Sequence, residues 1–505
     1  MDKNIFEKLD KCHMAFTIED QCEVFYVEAR ELISSRRFDF FSILNYIDQK
    51  VKGVEDLSFA IDLYLERTKW ITGGTLIEEG YESKAGKERW INDLDNLIHD
   101  FQNDSFDIER KLIPIDKNYD PIDGAHRVCC AAYFGKKLKV ARFVDKEIHP
   151  MDYRRMRHDF VPEYVLDYSA LFSCSWFSDI YMLFFWPKSF NNNRALERAL
   201  KIINDKEDVV YEFDIKLSYK AIRTLMIQIY GHMDWVGSID DDFQSTYKKA
   251  DEVWDNNGKI KVLLVRSKSC LEVLNLKTTI RDLFNIGLSS IHSTDNMRET
   301  LIAANSLLNH NSRSFLEIAS PTRFKNAYKL FQSFKMGLLE SNASLNNYII
   351  DTSMILAIYG VRDASDLDYY TLDEEKTLNF ASDKIEEHTK DQELFYKTSV
   401  KDLILSPVNH FVFNEIKFVS LEHLKEFKIN RFEVNHENKD KDDLLLIEAT
   451  LSNSQNRFQY IQAIISVAFR KRKRIIVGVL RKNIKRILVS LGLYDFVKKR
   501  KTRQN

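Results

Sequence analysis

At 505 residues the chain exceeds what one hydrophobic core fills, so two to four domains are expected. An apolar content of 44% with only 15 Gly and 7 Pro excludes collagen-like repeats, long flexible linkers and extended disorder, and points to a compact, helix-rich α/β (α+β) multidomain protein. The formal net charge of −2 hides an asymmetry, because residues 470–505 hold 14 Lys and Arg against one acid, Asp495.

Taken in chain order, residues 1–60 read as a helical segment, from the apolar spacing in "FEKLDKCHMAF" and "FFSILNYIDQKV". The opening "MDKNIFEKLDKCHM" is charged and lacks the apolar stretch of a secretion signal. Over 61–146 helices alternate with short strands. "KLIPID" and "LKVARFV" are strand-like, and "HRVCCAAYFG" between them is a helix closed by Gly135. Residues 147–320 form a middle α/β region whose role the sequence leaves open. Its most apolar run, "LFSCSWFSDIYMLFFWP" from Leu171, carries Asp179 and three serines, which predicts a buried helix rather than a membrane span. "KVLLVRS" predicts a strand and "CLEVLNLKTTIRDLFNIG" a helix. A further helix in "SSIHSTDNMRETLIAANSLLNHNS" has Ser293 or Thr294 as its cap and Glu299 in its first turns. Residues 321–467 follow a helix, strand-turn-strand, helix pattern, and 468–505 form a basic amphipathic tail. The six cysteines include no Cys-x-x-Cys pair and suggest no disulfide framework, so a reducing cytosol is expected.

The stretch "IDTSMILAIYGVRDASDLDYY" sets Asp366 and Asp368 one residue apart. On a strand the two side chains share a face with Leu367 turned into the core. Neighbouring carboxylates repel unless a cation lies between them, and Mg²⁺ (or Mn²⁺) suits one or two carboxylates plus substrate phosphates. Upstream, Thr352 or Ser353 starts a helix whose exposed amides attract phosphate. The plain alternative is that the acids only terminate a strand.

A small-residue helix start followed by Asp-hydrophobic-Asp on a strand resembles the minimal nucleotidyltransferase fold, with Thr352 and Ser353 standing where that family has Gly-Ser. Arg362 in "GVRDASDLD" matches the Gly-x-Arg-x-x-x-Asp-x-Asp form of bacterial members. Downstream, "IKFVSLEHLKEFKINR" and "NKDKDDLLLI" are similar to a strand, a Ser-Leu-Glu helix start and a Lys-Asp-x-x-Asp pattern. The resemblance implies Lys428 near phosphates, Asp440 or Asp443 in support, and Glu415 in "FVFNEIKF" as a third metal-binding acid. It covers about 320–450, and Thr352 in place of glycine keeps open a degenerate scaffold.

A second constellation, "DPIDGAHRVCCAAYFG", opens a helix after a strand and loop. Gly124 can adopt backbone angles other residues resist and let phosphate approach the amides; Arg127 offers a two-pronged donor and His126 a hydrogen bond or a proton. A helix-capping pair between Asp123 and Arg127 is the plainer reading. The motif resembles the Asp-Gly-x-His-Arg box of the ParB/sulfiredoxin-like fold, with Ile113-Pro114-Ile115 before it, and implies phosphate handling by Asp123, Gly124, His126 and Arg127. Ala125 stands where sulfiredoxin chemistry needs cysteine, which excludes peroxiredoxin repair; Cys129 and Cys130 read as core residues.

"SSIHSTDNMRET", with His292, Asp295 and Arg298, reads first as a capped helix and second as an anion site. "IYGHMDWVGSIDDDF" reads as a solvated acidic loop. The tail suits an anionic membrane surface better than nucleic acid, because Ile, Val and Leu interleave its charges. It is similar to the basic helices of bacterial surface-glycan transferases.

Together these features predict a Mg²⁺-dependent nucleotidyl- or phosphotransferase of bacterial surface-polysaccharide (capsule/O-antigen) biosynthesis. It would be cytoplasmic and peripheral at the inner membrane, taking a nucleoside triphosphate or nucleotide-linked substrate and a phosphorylated small molecule or glycan acceptor. The alternative is a nucleic-acid-associated protein of a defence or toxin system.

Overall fold

The computed structural model of the chain describes residues 3–9, 17, 20–78, 81–373, 378, 380–388, 390–452, 476 and 480. The basic tail expected over 468–505 lies, but for Ile476 and Leu480, outside them. The fold is mixed α/β and multidomain, with three main sheets met in succession along the chain.

The first sheet joins Cys22–Glu28, Lys137–Phe143 and Ile113–Ile115 in that order. Cys22 pairs with Phe143 and Glu28 with Lys137 across the antiparallel edge. The segment 1–60 is therefore not all helical. In "CEVFYVE" Phe25 and Val27 turn inward while Val24, Tyr26 and Glu28 face out, the two-residue period of an edge strand. Ala125–Tyr133 lies over this sheet and packs on Phe40–Val51, whose Phe40, Phe41, Ile43, Leu44, Tyr46 and Ile47 are wholly buried. Cys129 and Cys130 face the same core, and burial pushes both thiols up, as the reading of core cysteines requires.

The second sheet is antiparallel throughout, in the order Asp208–Lys216, Lys259–Arg266, Ile180–Phe185, Ile291–Ser293. The apolar run from Leu171 is thus not one helix. Its first part ends the Glu163–Trp176 helix, and "IYMLFF" is an inner strand with neighbours on both sides, apolar on both faces. Ser293 and Thr294 do not cap the next helix either. Thr294 Oγ1 accepts from Met182 N at 2.9 Å, tying the loop to the sheet, and Asn296 caps Met297–Leu308 by accepting from Glu299 N at 3.0 Å.

The third sheet runs Ile385–Glu387, Leu367–Thr371, Tyr348–Asp351, Ile416–Val419, His410–Phe413. Tyr348–Asp351 is antiparallel to Leu367–Thr371 and parallel to Ile416–Val419. Lys325–Glu340 precedes the sheet, and the paired helices Leu421–Asn435 and Asn438–Leu451 follow it. No helix among the described residues is long and apolar enough to cross a membrane.

Candidate functional site

Asp351 ends its strand directly opposite Asp368. The chain then turns through Thr352, which holds φ +53° and ψ −123°, a conformation that glycine adopts freely and a β-branched residue only under constraint. Thr352 thus holds a backbone conformation that favours glycine, the residue the sequence resemblance would expect at this position. Its hydroxyl caps nothing: Oγ1 donates to Asp368 Oδ2 at 2.6 Å, and Ser353 Oγ donates to Asp366 Oδ1 at 2.9 Å. The helix expected here is present but only six residues long, Ser353–Ile358. Consecutive hydroxyls instead draw the two carboxylates of Asp366 and Asp368 to one place.

His388 lies between Asp351 and Asp368, with Nδ1 3.4 Å from Asp351 Oδ2 and Nε2 3.3 Å from Asp368 Oδ2. Burial alone would push the imidazole down, but the hydrogen bonds and charges of the two acids outweigh it and hold His388 up at about 9. Burial works to raise Asp368, and it is outweighed by His388, by the Thr352 hydroxyl and by the charge of Lys439, which together hold the carboxyl below its ordinary range. Tyr396 donates to Asp351 Oδ1 from the buried side, and its own hydroxyl is pushed far up by burial and then by Asp351. Asp351, His388 and Tyr396 are site residues that sequence reasoning missed. Asp351 stood in the quoted stretch, but only strand register pairs it with Asp368, and nothing local marked His388.

Lys428 does not reach the carboxylate pair. It is 1% exposed and bridges Asp440 Oδ1 at 3.1 Å and Asp443 Oδ2 at 3.0 Å. Arg431 also holds Asp440, and Arg362 holds Asp443 through Nε at 2.8 Å and Nη2 at 3.2 Å. This buried ion network fixes the loop that carries Asp366 onto the two following helices. Glu415 is not brought to the pair either. It sits in the turn before Ile416–Val419, at the end of the sheet away from Asp351, bound to Arg298 and Lys335 at 2.6 Å each.

Among the described residues no group of three or more His, Cys, Asp or Glu side chains is arranged to hold a metal ion. A cation here would rest on Asp366 and Asp368, each of which has given one oxygen to a hydroxyl, and on substrate oxygens. Two carboxylates completed by phosphate oxygens and water suit Mg²⁺, a hard ion that rarely takes an all-protein cage. His388, a double donor while charged, is a neighbour and not a ligand.

The second constellation lines a separate cavity of about 1090 Å³ with Arg37, Arg67, Lys84, Arg89, Trp90 and Asp123 to Arg127 on its wall. Gly124 has φ +80° and starts Ala125–Tyr133; a Cβ there would lie 2.7 Å from Ile113 Cδ1 and 3.0 Å from Arg127 Nη2. Only glycine lets the helix begin this close to the strand. His126 Nε2 meets Tyr64 Oη at 2.9 Å, and burial first, then Lys84, Arg67 and Arg127, push the ring well down, so it is neutral rather than a proton donor. Behind the lining residues Arg37 and Arg67, Asp39 is fully buried between Arg37 Nε at 2.9 Å and Arg67 Nη2 at 2.6 Å, one acid for two guanidinium groups. Glu78 and Asp93 also line the cavity and pair with Lys84 at 2.6 Å and Arg89 at 2.9 Å, so the excess positive charge of the wall rests on Arg37, Arg67 and Arg127, which favours an anion at that end.

Compared with family models, curated proteins and solved structures, the chain matches none of them.

Proposed function

We propose that this chain is a Mg²⁺-dependent nucleotidyl- or phosphotransferase whose reaction centre is the Asp366–Asp368 pair. The observation that carries this reading is the Thr352–Ser353 turn, where a strained backbone spends two successive hydroxyls on two successive acids. Strain of this kind costs about 1–3 kcal/mol and persists where the surroundings enforce a functional geometry. Mg²⁺ or Mn²⁺, when bound, supplies charge neutralisation between these carboxylates and the phosphates of a nucleoside triphosphate or nucleotide-linked substrate. Thr352 and Ser353 fix the orientation of the acids. Arg362, braced by Asp443, sets a guanidinium in the loop that carries Asp366.

The cavity at Asp123–Arg127 takes a second phosphorylated ligand, either the acceptor or a separate nucleotide. A half-open cavity of about 1090 Å³, just above the usual small-molecule range of about 300–1,000 Å³, suits such a ligand better than a nucleic-acid strand. We further propose, from the resemblance of the tail sequence to the basic helices of surface-glycan transferases, that the reaction belongs to capsule or O-antigen assembly at the cytoplasmic face of the inner membrane, with 468–505 on the anionic lipid.

Asp366→Asn is the test. Nucleotide turnover, screened over triphosphates and nucleotide-sugars with and without Mg²⁺, is expected to fall by about two orders of magnitude or more while the melting temperature stays near wild type. Unchanged turnover in that variant removes the assignment. A gel shift that weakens steeply with salt would favour the nucleic-acid alternative instead.

A further inference from the structure

The edge strand Ile291–Ser293 of the second sheet is covered by the Cys270–Phe284 helix. His292 on that strand is 9% exposed, with its ring stacked on Phe184 at a centroid distance of 5.6 Å. Its Nδ1 lies 3.0 Å from Tyr230 Oη. Assigning the hydroxyl proton to this bond gives the tyrosine its acceptor and leaves the imidazole proton on Nε2. That Nε2 is buried and has no hydrogen-bond partner. The same is true of Nε of Arg281, whose Nη2 donates to Ile291 O at 3.2 Å.

Two lysines complete the cluster. Lys277 is one turn before Arg281 on the same helix face, 9% exposed, and meets Asp295 only at 3.3 Å. Lys249 approaches from Gln244–Val253, 3.2 Å from Leu288 O and 3.4 Å from Glu252. Burial first, and then Lys277, Arg281 and Lys249, push His292 down to about 3, so three cations face a neutral ring. Among the described residues no carboxylate lies within ion-pair distance of Arg281. Glu299, the other nearby acid, is occupied by Asp295 N at 2.9 Å and Asn296 Nδ2 at 3.2 Å.

Both unpaired atoms are donors, and a buried donor without an acceptor costs about 1–3 kcal/mol. Native structures settle such atoms with a water or an ion. A water would satisfy the donors but gives no reason for three cations to converge on a half-buried spot, where they repel one another. An anion accounts for both. We infer that His292, Arg281 and Lys277, with Lys249 beside them, form a binding site for a phosphate-type oxyanion, the phosphoryl group of a ligand recognised by the middle region. The guanidinium supplies a planar fork, the imidazole one N–H, and the ammonium a point charge that exchanges its loose contact with Asp295 for a ligand oxygen. Trp235, 46% exposed and 5.4 Å from the Tyr230 ring, offers an apolar surface beside the anion for the rest of the ligand. This site is separate from the Asp366–Asp368 pair and from the Asp123–Arg127 cavity.

The test titrates inorganic phosphate into the full chain carrying ¹³C-labelled histidine rings, at constant ionic strength. The His292 signal is assigned by its loss in His292→Asn. It is expected to shift saturably with phosphate and not with chloride, to need at least roughly tenfold more phosphate in Arg281→Gln, and to recover in part in Arg281→Lys. No shift, an equal shift with chloride, or an unchanged midpoint in Arg281→Gln overturns the site. Should Arg281→Gln fail to fold, the wild-type titration and Lys277→Gln decide the matter. His126 in the same spectrum reports the other cavity independently.

Discussion

His388 shows at the scale of one residue how the candidate centre is held. Asp351 and Asp368 face each other across two strands, and the His388 ring between them lies 3.4 Å from one and 3.3 Å from the other. The folded group, at about 9, lies above its ordinary 6.5, so its stabilisation is complete below pH 6.5 and is lost as the pH rises from there through 9. Asp368 runs the other way: held below its ordinary 3.8, it contributes above that pH and loses its contribution as the pH falls further. Stability should therefore decline on the alkaline side by roughly 3 kcal/mol, the size of a rise from 6.5 to about 9. His388→Gln should remove most of that decline. Urea unfolding at the two ends of the 6.5 to 9 range measures it, and an equal alkaline loss in His388→Gln and wild type would show that other groups cause it. None of this was legible in the sequence. Asp366 and Asp368 announce themselves by spacing, whereas Asp351 and His388 meet only through strand register and a loop that returns to the sheet.

At the scale of elements, the Lys-Asp-x-x-Asp pattern was legible and its role was not. Asp440 and Asp443 stand three residues apart on Asn438–Leu451, which puts them on one face, towards Lys428 and Arg431, three apart on Leu421–Asn435. A helix-to-helix clasp results, and its outer end holds Arg362. Lys428→Met would leave two buried carboxylates short of a partner, a loss of about 3–5 kcal/mol for a broken buried pair. Chemical denaturation should show that loss directly. A variant of wild-type stability that had lost turnover would instead return Lys428 to the phosphate role implied by the resemblance. The sheets illustrate the same division. "LKVARFV" and "KVLLVRS" are strands as their patterns predict, because short β-branched runs bounded by turns have few other uses. The run from Leu171 predicts one helix where the structure has a helix end and a strand, because periodicity cannot separate a doubly buried strand from a buried helix. The Ser178–Asp179 break was the only cue; Asp179 binds Arg266 through both carboxylate oxygens at the sheet's end.

For the whole molecule, the domain boundaries inferred from sequence sit on a chain whose buried core is continuous from Val27 to Ile447. One carboxylate ties the region of the first sheet to that of the third. Asp402, at the start of Val400–Leu405, accepts from Glu55 N at 2.7 Å and Asp56 N at 2.9 Å, in the loop after Phe40–Val51, while Gln49 Nε2 donates to Leu405 O at 3.2 Å. Both amides thus depend on an acid almost 350 residues away. Asp402→Asn replaces one acceptor by a donor and removes the charge, a change worth about 1–3 kcal/mol for buried polar groups. If the junction couples the two ends, hydrogen exchange should quicken in that variant at residues 54–56 and also along Phe40–Val51, whose far face packs under the Asp123–Arg127 helix. Faster exchange confined to the two amides would mean that the cavity and the carboxylate pair belong to bodies that open independently. Faster exchange through the helix would mean that a ligand in the cavity can alter the stability of the Asp366–Asp368 half, because an element whose opening is shared by two sites links their binding energies.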